Sequence, residues 1–443
     1  MRTTTGPAPG HSPGLRPGLH ASAALLTDQY ELTMLQAALS SGAAHRRAVF
    51  EVFARRLPGG RRYGVVAGVD RILDALEGFQ FGEEDLAFLR EAGIVDEGTL
   101  EFLAGYRFSG NVYGYREGEA FFPGSPIMVV EGTFAEAVVL ETVILSILNH
   151  DCAIAAAASR MVRAAGGRPL IEMGSRRTHE LAAVAAARAA YLCGFSSTSN
   201  LMAGRRYGVP TAGTAAHAFV LLHDSEEDAF RAQLESLGLG TTLLVDTYDV
   251  DKAVRTAVEL AGPGLGAVRI DSGDLGVAAM EVRRTLDAFG ADRTGIVVTG
   301  DLDEFAIAAL AAAPVDAYGV GTALVTGSGH PTASLVYKLV AREDAAGALE
   351  PVAKRSVGKP SKGGRKWAYR RTTRGTATGE IVTGAPEDSA GRPLLAELVR
   401  DGLIVGREPL EAARERHRAT LAELPQEAHS LSPADPAVPT IFN

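Results

Sequence analysis

The sequence predicts an α/β fold, a parallel sheet of about seven strands closed as a barrel and preceded by a region of mixed α+β character. Three observations predict it. From about residue 150, short apolar runs alternate with helical stretches, the pattern of successive βα units on a parallel sheet. Polar residues follow nearly every run, at the strand ends where barrel enzymes build sites from many strands at once. An open sheet would gather them near one switch point instead. Residues 22–150 lack this alternation and mix helical spacing with Gly- and Pro-punctuated β-formers.

Taken in order, residues 1–21 are rich in Gly, Pro and Thr and lack the apolar core of a signal peptide, so a disordered tail is expected. Residues 25–38 have helical spacing, and AVFEVFARRL (48–57) reads as a strand. Residues 70–79 and 83–93 read as helices, residues 111–134 as strands between Gly/Pro turns, and residues 135–150 as an apolar helix. The barrel strands expected between 151 and 340 are RPLIEM (168–173), GFSSTS (194–199), VPTAGTA (209–215), TTLLVD (241–246), GAVRID (266–271), TGIVVTG (294–300) and VDAYGV (315–320). Helical segments such as 178–192, 226–238, 251–262, 277–290 and 304–313 lie between them. From 341 to 443 the chain is first basic and Gly-rich, then helix-like over EPLEAARERHRATLAEL, and ends in a tail or surface strap.

Composition narrows the function. The 443 residues carry 44 Lys and Arg against 53 Asp and Glu, a net charge of −9, which argues against a nucleic-acid or membrane-surface partner. No apolar run reads as long enough to span a bilayer. Cys152 and Cys193 sit in apolar surroundings outside any CxxC or Cys/His cluster, as buried thiols of a reducing, cytoplasmic setting.

The candidate chemistry lies at the strand ends. In VRIDSGDLG (268–276), Asp271 and Asp274 follow a strand, a place for a carboxylate that accepts ribose hydroxyls or meets a Mg²⁺–diphosphate, with Arg269 to offset phosphate charge. The plainer alternative is a capped helix start. VVTGDLDEF (297–305) and DAYGVGTAL (316–324) are glycine turns able to present backbone N–H groups to phosphate, although any βα turn can hold glycines. His217, just past the third run, is either a packed core histidine or an acid/base or phosphate carrier. Arg176 in EMGSRRTHE suits an anionic ring substituent, or is a solvated helix-start charge. Tyr30 in LLTDQYELTM is a packing or stacking ring, and the basic run 354–366 is a solvated loop or a phosphate contact.

These segments together resemble the nicotinate phosphoribosyltransferases, type II phosphoribosyltransferases. TDQYELTM, FEVFARRLPGG, EMGSRRTHE, GFSSTSNLMAGRRYGVP, GTAAHAFV, VDTYDV, RIDSGDLG, TGDLDEF, YGVGTALVTG and VAKRSVGK occur in the family's order over roughly residues 22–370. The resemblance implies an irregular parallel α/β barrel plus a smaller α+β domain shared by the two chain ends, 22–150 and 341–443. It also implies a homodimer in which each site is completed by the partner subunit. The implied reaction joins nicotinate to phosphoribosyl diphosphate, releasing diphosphate, as the first step of NAD salvage from nicotinate. ATP is the co-substrate and Mg²⁺ the cofactor. By the same resemblance His217 is the phosphohistidine, Asp271 holds the ribose hydroxyls, and Arg269 lies near the diphosphate. Arg176 faces the nicotinate ring, and Tyr30 stacks on it from the neighbouring subunit. Gly300, Asp301, Gly319 and Gly321 form the 5′-phosphate region, and Arg55 and Lys354 add positive charge. Asp246 lies near Mg²⁺ and ribose, with Asp274 as a second metal ligand.

The resemblance implies that acid and amide substrates are told apart at Asn200, where nicotinamide-using relatives carry an Asp that accepts from an amide and repels a carboxylate. Met173 stands where those relatives have an aromatic ring partner, a departure from two-sided stacking. The rivals are a nicotinamide or quinolinate phosphoribosyltransferase and a non-catalytic metabolite-binding homologue. A barrel aldolase is weaker, since it wants a Schiff-base Lys at a strand end and none of the seven runs ends in one.

Overall fold

The computed structural model describes residues 22–354 and 362–443; the expected N-terminal tail and residues 355–361 of the basic run lie outside the described residues. The chain divides into two compact units, residues 154–331 and residues 22–153 with 332–443.

The 154–331 unit is built on a parallel sheet of six strands, Leu170–Glu172, Ser197–Thr198, Thr242–Leu244, Ala267–Ile270, Gly295–Val298 and Ala317–Val320. Its spatial order is 197, 170, 317, 295, 267, 242, and the ladder stays open between the first and last of these, so the sheet curls as a half-barrel. Leu170, Ile171, Leu243, Leu244, Val268, Ile270, Ile296, Val297, Val298, Tyr318 and Val320 are buried, as β-branched and aliphatic strands covered on both faces must be. Helices return the chain between strands and start at side-chain caps: Ser225 on Asp228 N (3.1 Å), Asp249 on Lys252 N (2.8 Å) and Asp274 on Val277 N (3.1 Å). The Ala-rich helix Glu180–Leu192 buries Ala183, Ala185, Ala186, Ala187, Ala189 and Ala190, small side chains that let its backbone approach its neighbours.

Of the seven expected strands, 209–215 is not one. It makes a single bridge, Thr211 to Thr198, using Thr198 N to Pro210 O and Ala212 N to Thr198 O, both 2.9 Å. Pro210 has no N–H to extend a ladder, and the chain leaves the sheet at once.

The other unit holds a seven-stranded antiparallel sheet, in the order Leu349–Pro351, Leu335–Glu343, Arg47–Ala54, Met128–Thr133, Asn111–Tyr115, Leu395–Arg400 and Leu403–Ile404. Residues 332–340 therefore belong here and not to the barrel region expected to reach 340, because the Leu335–Glu343 strand pairs along Arg47–Ala54. Phe50 and Tyr337 stack across that pair at 4.8 Å. The basic, Gly-rich stretch conceals a hairpin, Trp367–Thr373 with Thr376–Thr383. Its turn residues Arg374 (φ 51°) and Gly375 (φ 80°) are both left-handed, the twist a tight hairpin needs. Thr440–Phe442 adds a parallel strand to it, so the expected strap ends inside a sheet.

The boundary between units falls within helix Glu141–Ala165, which runs beyond the expected end at 150. Against the sequence reading, residues 134–165 are long and apolar enough to cross a bilayer, yet 67% of the apolar window is buried inside the protein. The buried Asp151 in this helix pairs with Arg71 at 2.7 Å, a core helix tied by an ion pair.

Candidate active site

Asp246 follows the Thr242–Leu244 strand, and its buried carboxylate is the pivot of the rim. One oxygen lies 3.1 Å from His217 Nε2; the other accepts from the Asp271 backbone N–H (2.8 Å) and the Ser272 hydroxyl (2.7 Å). With Nε2–H donated to Asp246, the lone pair of the ring is on Nδ1. The imidazole is itself partly open to solvent.

Arg269, near the end of the next strand, is anchored inward rather than reaching free into the cleft. Its Nε donates to Thr299 Oγ1 (2.9 Å), Nη1 to Thr214 Oγ1 (2.9 Å) and the Ala215 carbonyl (3.3 Å), and Nη2 to Asp271 Oδ1 (3.0 Å). It thereby ties the segment leading into His217 to the Asp271 turn. Thr299 donates to the same Asp271 oxygen. Burial raises the affinity of the Asp271 carboxyl for a proton, but the Thr299 and Arg269 hydrogen bonds and the charge of Arg269 outweigh it, so the group lies below the usual carboxylate range. Asp271 is an ionised acceptor with one oxygen saturated.

Arg176 lies exposed in a turn closed by Arg177 N to Gly174 O (2.8 Å). The turn is held from beneath by Glu172, a fully buried carboxylate that accepts from Gly174 N and Thr198 Oγ1. Burial pushes the Glu172 carboxyl up despite these bonds. Thr198 Oγ1 in turn accepts from Asn200 N (2.9 Å), and Asn200 Nδ2 donates to Ser175 Oγ (3.0 Å) while its Oδ1 caps Ala203 N (2.9 Å). The Asn200 amide is thus engaged by the protein, and it joins the Leu201–Tyr207 helix to the Arg176 turn.

The two glycine turns depart from expectation. Gly300 (φ 109°) and Asp301 (φ 41°) are both left-handed, and a Cβ at 300 would stand 2.4 Å from the Asp271 carbonyl oxygen, so the turn closes directly on Asp271. The following helix, Glu304–Ala309, offers no free first-turn amides at 305 and 306, which Asp303 caps at 2.9 and 2.8 Å. Gly319 is not in a turn. It lies within the Ala317–Val320 strand, and a Cβ there would meet Thr299 Cγ2 at 2.5 Å and Met173 Sδ at 2.8 Å. Packing, not phosphate, requires that glycine. Gly321 does stand in the turn, before a four-residue helix with no side-chain cap, Thr322–Val325.

Among the described residues no cluster of three or more His, Cys, Asp and Glu could cage a metal. Both Asp246 oxygens are engaged, and exposed Asp274 spends one oxygen on its helix cap. That suits a Mg²⁺ held mainly by substrate phosphates and water, with one carboxylate, and does not suit Asp246 as its ligand. Tyr30, Arg55 and Lys354 belong to the other unit: Tyr30 is 45% exposed on helix Gln29–Ser40, Arg55 is exposed just past the Arg47–Ala54 strand, and Lys354 is exposed beside the undescribed segment.

Sequence reasoning missed Glu172, Thr198, Thr214 and Thr299. Glu172 carried a signal, a charged residue inside an apolar strand, and so did Thr299, a hydroxyl at a strand's C-terminal end.

A model described as the nicotinate phosphoribosyltransferase (NAPRTase) N-terminal domain matches residues 25–149. Nicotinate phosphoribosyltransferase pncB1 of Mycobacterium tuberculosis is 58% identical over 94% of this chain and 95% of its own. Nicotinate phosphoribosyltransferase of Bacillus subtilis is 38% identical over 73% of this chain and 68% of its own. The crystal structure of human nicotinic acid phosphoribosyltransferase superposes with a TM-score of 0.80 at 27% identity, covering 94% of this chain and 97% of that one.

Proposed function

Because the chain belongs to the nicotinate phosphoribosyltransferase family, we propose that it joins nicotinate to phosphoribosyl diphosphate, giving nicotinate mononucleotide and diphosphate, with ATP hydrolysed through a phosphate carried on His217. The ring nitrogen of nicotinate attacks the anomeric carbon, the bond to diphosphate breaks, and its electron pair leaves with diphosphate. Positive charge develops on the sugar, as in glycoside cleavage. No protein nucleophile is needed at carbon.

The observation that carries the reading is the Asp246–His217 pair beside Asp271, at 3.1 Å and 2.8 Å respectively. Asp246 holds the imidazole with Nδ1 unprotonated, the state required to accept the γ-phosphoryl group of ATP; ADP leaves, and water later returns the histidine and releases phosphate. The Asp271 backbone N–H shares the carboxylate that orients His217, so a change at the histidine reaches the ribose turn through one side chain. Asp271 accepts ribose hydroxyls, the open 300–301 and 321–323 backbone receives the 5′-phosphate, and Arg176 faces the nicotinate carboxylate. Mg²⁺ would enter with the diphosphate, Asp274 offering its remaining oxygen, and would stabilise the leaving group. Arg269 acts by ordering Thr214, Asp271 and Thr299 more than by direct phosphate contact.

A homodimer is part of the proposal. Leu201, Met202, Leu221, Leu222 and Tyr248 in one unit, and Leu25, Leu26, Tyr30 and Met34 in the other, are all more than a third exposed, apolar area that a second copy would cover. Two free, buried cysteines support a cytoplasmic setting. The test is product formation from phosphoribosyl diphosphate with nicotinate, nicotinamide or quinolinate, each with and without ATP. Nicotinate turnover stimulated by ATP, and uncoupled from it in His217→Ala, is the expected result. Preference for either other ring, or ATP hydrolysis surviving in His217→Ala, would overturn it.

A further inference from the structure

We propose that Thr299 is a positioning residue for the sugar-binding carboxylate: its hydroxyl links Arg269 to one oxygen of Asp271 and leaves the other oxygen directed to a ribose hydroxyl. The inference rests on the reading of Asp271 as the ribose acceptor.

The polarity of the link follows from proton counting. A guanidinium only donates, so Arg269 Nε–H occupies an acceptor site of Thr299 Oγ1 at 2.9 Å. The threonine has one proton to give, and it goes to Asp271 Oδ1; the alternative acceptor, the Ile270 carbonyl, is 3.5 Å away. Arg269 Nη2 donates to that same Oδ1 at 3.0 Å. Two donors thus converge on Oδ1, and among the described residues none reaches Oδ2. The carboxylate plane is fixed, and its free oxygen is the one that meets substrate.

Thr299 is itself held without freedom. It is 3% exposed, and its N–H bonds the Ile270 carbonyl at 2.9 Å, continuing the ladder between the strands that carry Arg269 and Thr299. Its methyl occupies the space vacated at Gly319, where a Cβ would stand 2.5 Å from Cγ2. Gly300, next in the chain, lies flat against the Asp271 carbonyl, with 2.4 Å to a notional Cβ. A β-branched hydroxyl residue meets both needs at once: the methyl fills the strand contact and the hydroxyl faces Asp271. Serine keeps the second function and valine only the first.

The test compares Thr299→Val, Thr299→Ser and Asp271→Asn, with initial rates against phosphoribosyl diphosphate and against nicotinate from about pH 3.5 to 8, a window that reaches the ordinary carboxylate range. Thr299→Val is expected to raise KM for phosphoribosyl diphosphate about tenfold, equivalent to about 1.4 kcal/mol and close to the lower end of what a hydrogen bond to a charged group contributes. Its KM for nicotinate should stay within about twofold, since a single ring of contacts is lost on the sugar side. The acid limb of that profile should move to higher pH, because Asp271 loses a donor that favours its ionised form. Thr299→Ser should recover both properties. Thr299→Ala removes the hydroxyl without adding a methyl beside the guanidinium, and gives the same readout if the valine chain does not fold. Equal losses in the serine and valine variants, or a valine variant with unchanged KM and acid limb, would overturn the positioning role while Asp271→Asn stays impaired. An unimpaired Asp271→Asn would instead remove the ribose reading on which it rests.

Discussion

Replacing Asp246 by asparagine tests the pivot of the site. The carboxylate accepts three hydrogen bonds, from His217 Nε2 at 3.1 Å, Asp271 N at 2.8 Å and Ser272 Oγ at 2.7 Å. An amide has one acceptor oxygen and one donor nitrogen. Its oxygen will face the two shorter partners, which leaves the NH₂ group opposite the histidine. Two donors cannot face each other, so the imidazole proton must move to Nδ1, and the lone pair turns into the amide. The nitrogen meant to accept phosphate is then protonated. Losing one charge-assisted hydrogen bond costs about 1.5–3 kcal/mol, or about 10- to 140-fold. The assay is formation of acid-labile phosphohistidine from labelled ATP in a single turnover, beside ATP-independent mononucleotide formation. Phosphoenzyme formation should fall by about that factor, and ATP-independent transfer by less. An asparagine variant that phosphorylates within about threefold of the parent would refute the assignment of tautomer and of His217 as carrier.

Three further outcomes follow from the geometry. Asn200→Asp keeps the cap on Ala203 N, and Ser175 can turn its hydroxyl to donate, so the fold should hold while a negative charge appears; relative kcat/KM for nicotinamide over nicotinate should rise about tenfold, a repulsion of ~1.4 kcal/mol, and an unchanged ratio would remove Asn200 from specificity. Gly300→Ala places a Cβ 2.4 Å from the Asp271 oxygen at φ 109°, so KM for phosphoribosyl diphosphate should rise with a stability loss of about 1–3 kcal/mol; a silent variant would contradict the tight turn. His417, buried in helix Leu410–Glu423, is held down at about 4 by burial and then by Arg414 and Arg418. Its folded pKa is depressed, so an unfolded chain takes up the proton first as pH falls. The stability this neutral histidine permits is complete above 6.5 and is lost between 6.5 and 4, about 3 kcal/mol in full. Denaturant midpoints at pH 7 and 4.5 should therefore lie closer together in His417→Leu than in the parent, and equal separations would contradict the shift.

Much of the site was legible because barrel chemistry collects at strand ends, and strand ends are visible in sequence as apolar runs that stop at a polar residue. His217, Asp246, Arg269 and Asp271 were found that way, and the structure brings all four into one hydrogen-bonded group. Less legible were partners whose meaning depends on what lies across a strand gap. Gly319 read as a phosphate glycine because it sits in a GxG, yet its neighbour is the Thr299 methyl on the adjacent strand. Asn200 read as a substrate contact, yet its amide is engaged by Ser175 and Ala203. The hairpin over 367–383 was hidden because its first strand carries Arg370 and Arg371, with Arg365 and Lys366 just before it and Arg374 in the turn, and charge masks the period-two pattern until Glu380 is seen paired to buried Arg370 at 2.7 Å.

The sequence by itself determined the alternation of strands and helices, the family and the candidate groups of the site, because hydrophobic period and residue chemistry are local properties of a chain. Tertiary structure alone decided which strand joins which sheet, that 335–343 pairs with 47–54, and that the expected strand over 209–215 ends at one bridge beside Pro210. It also decided the direction of each proton in the Arg269–Thr299–Asp271 link. Hydrogen-bond polarity and close packing depend on atoms brought together from positions thirty or more residues apart, as Arg269 and Thr299 are, and no spacing within a single segment encodes that meeting.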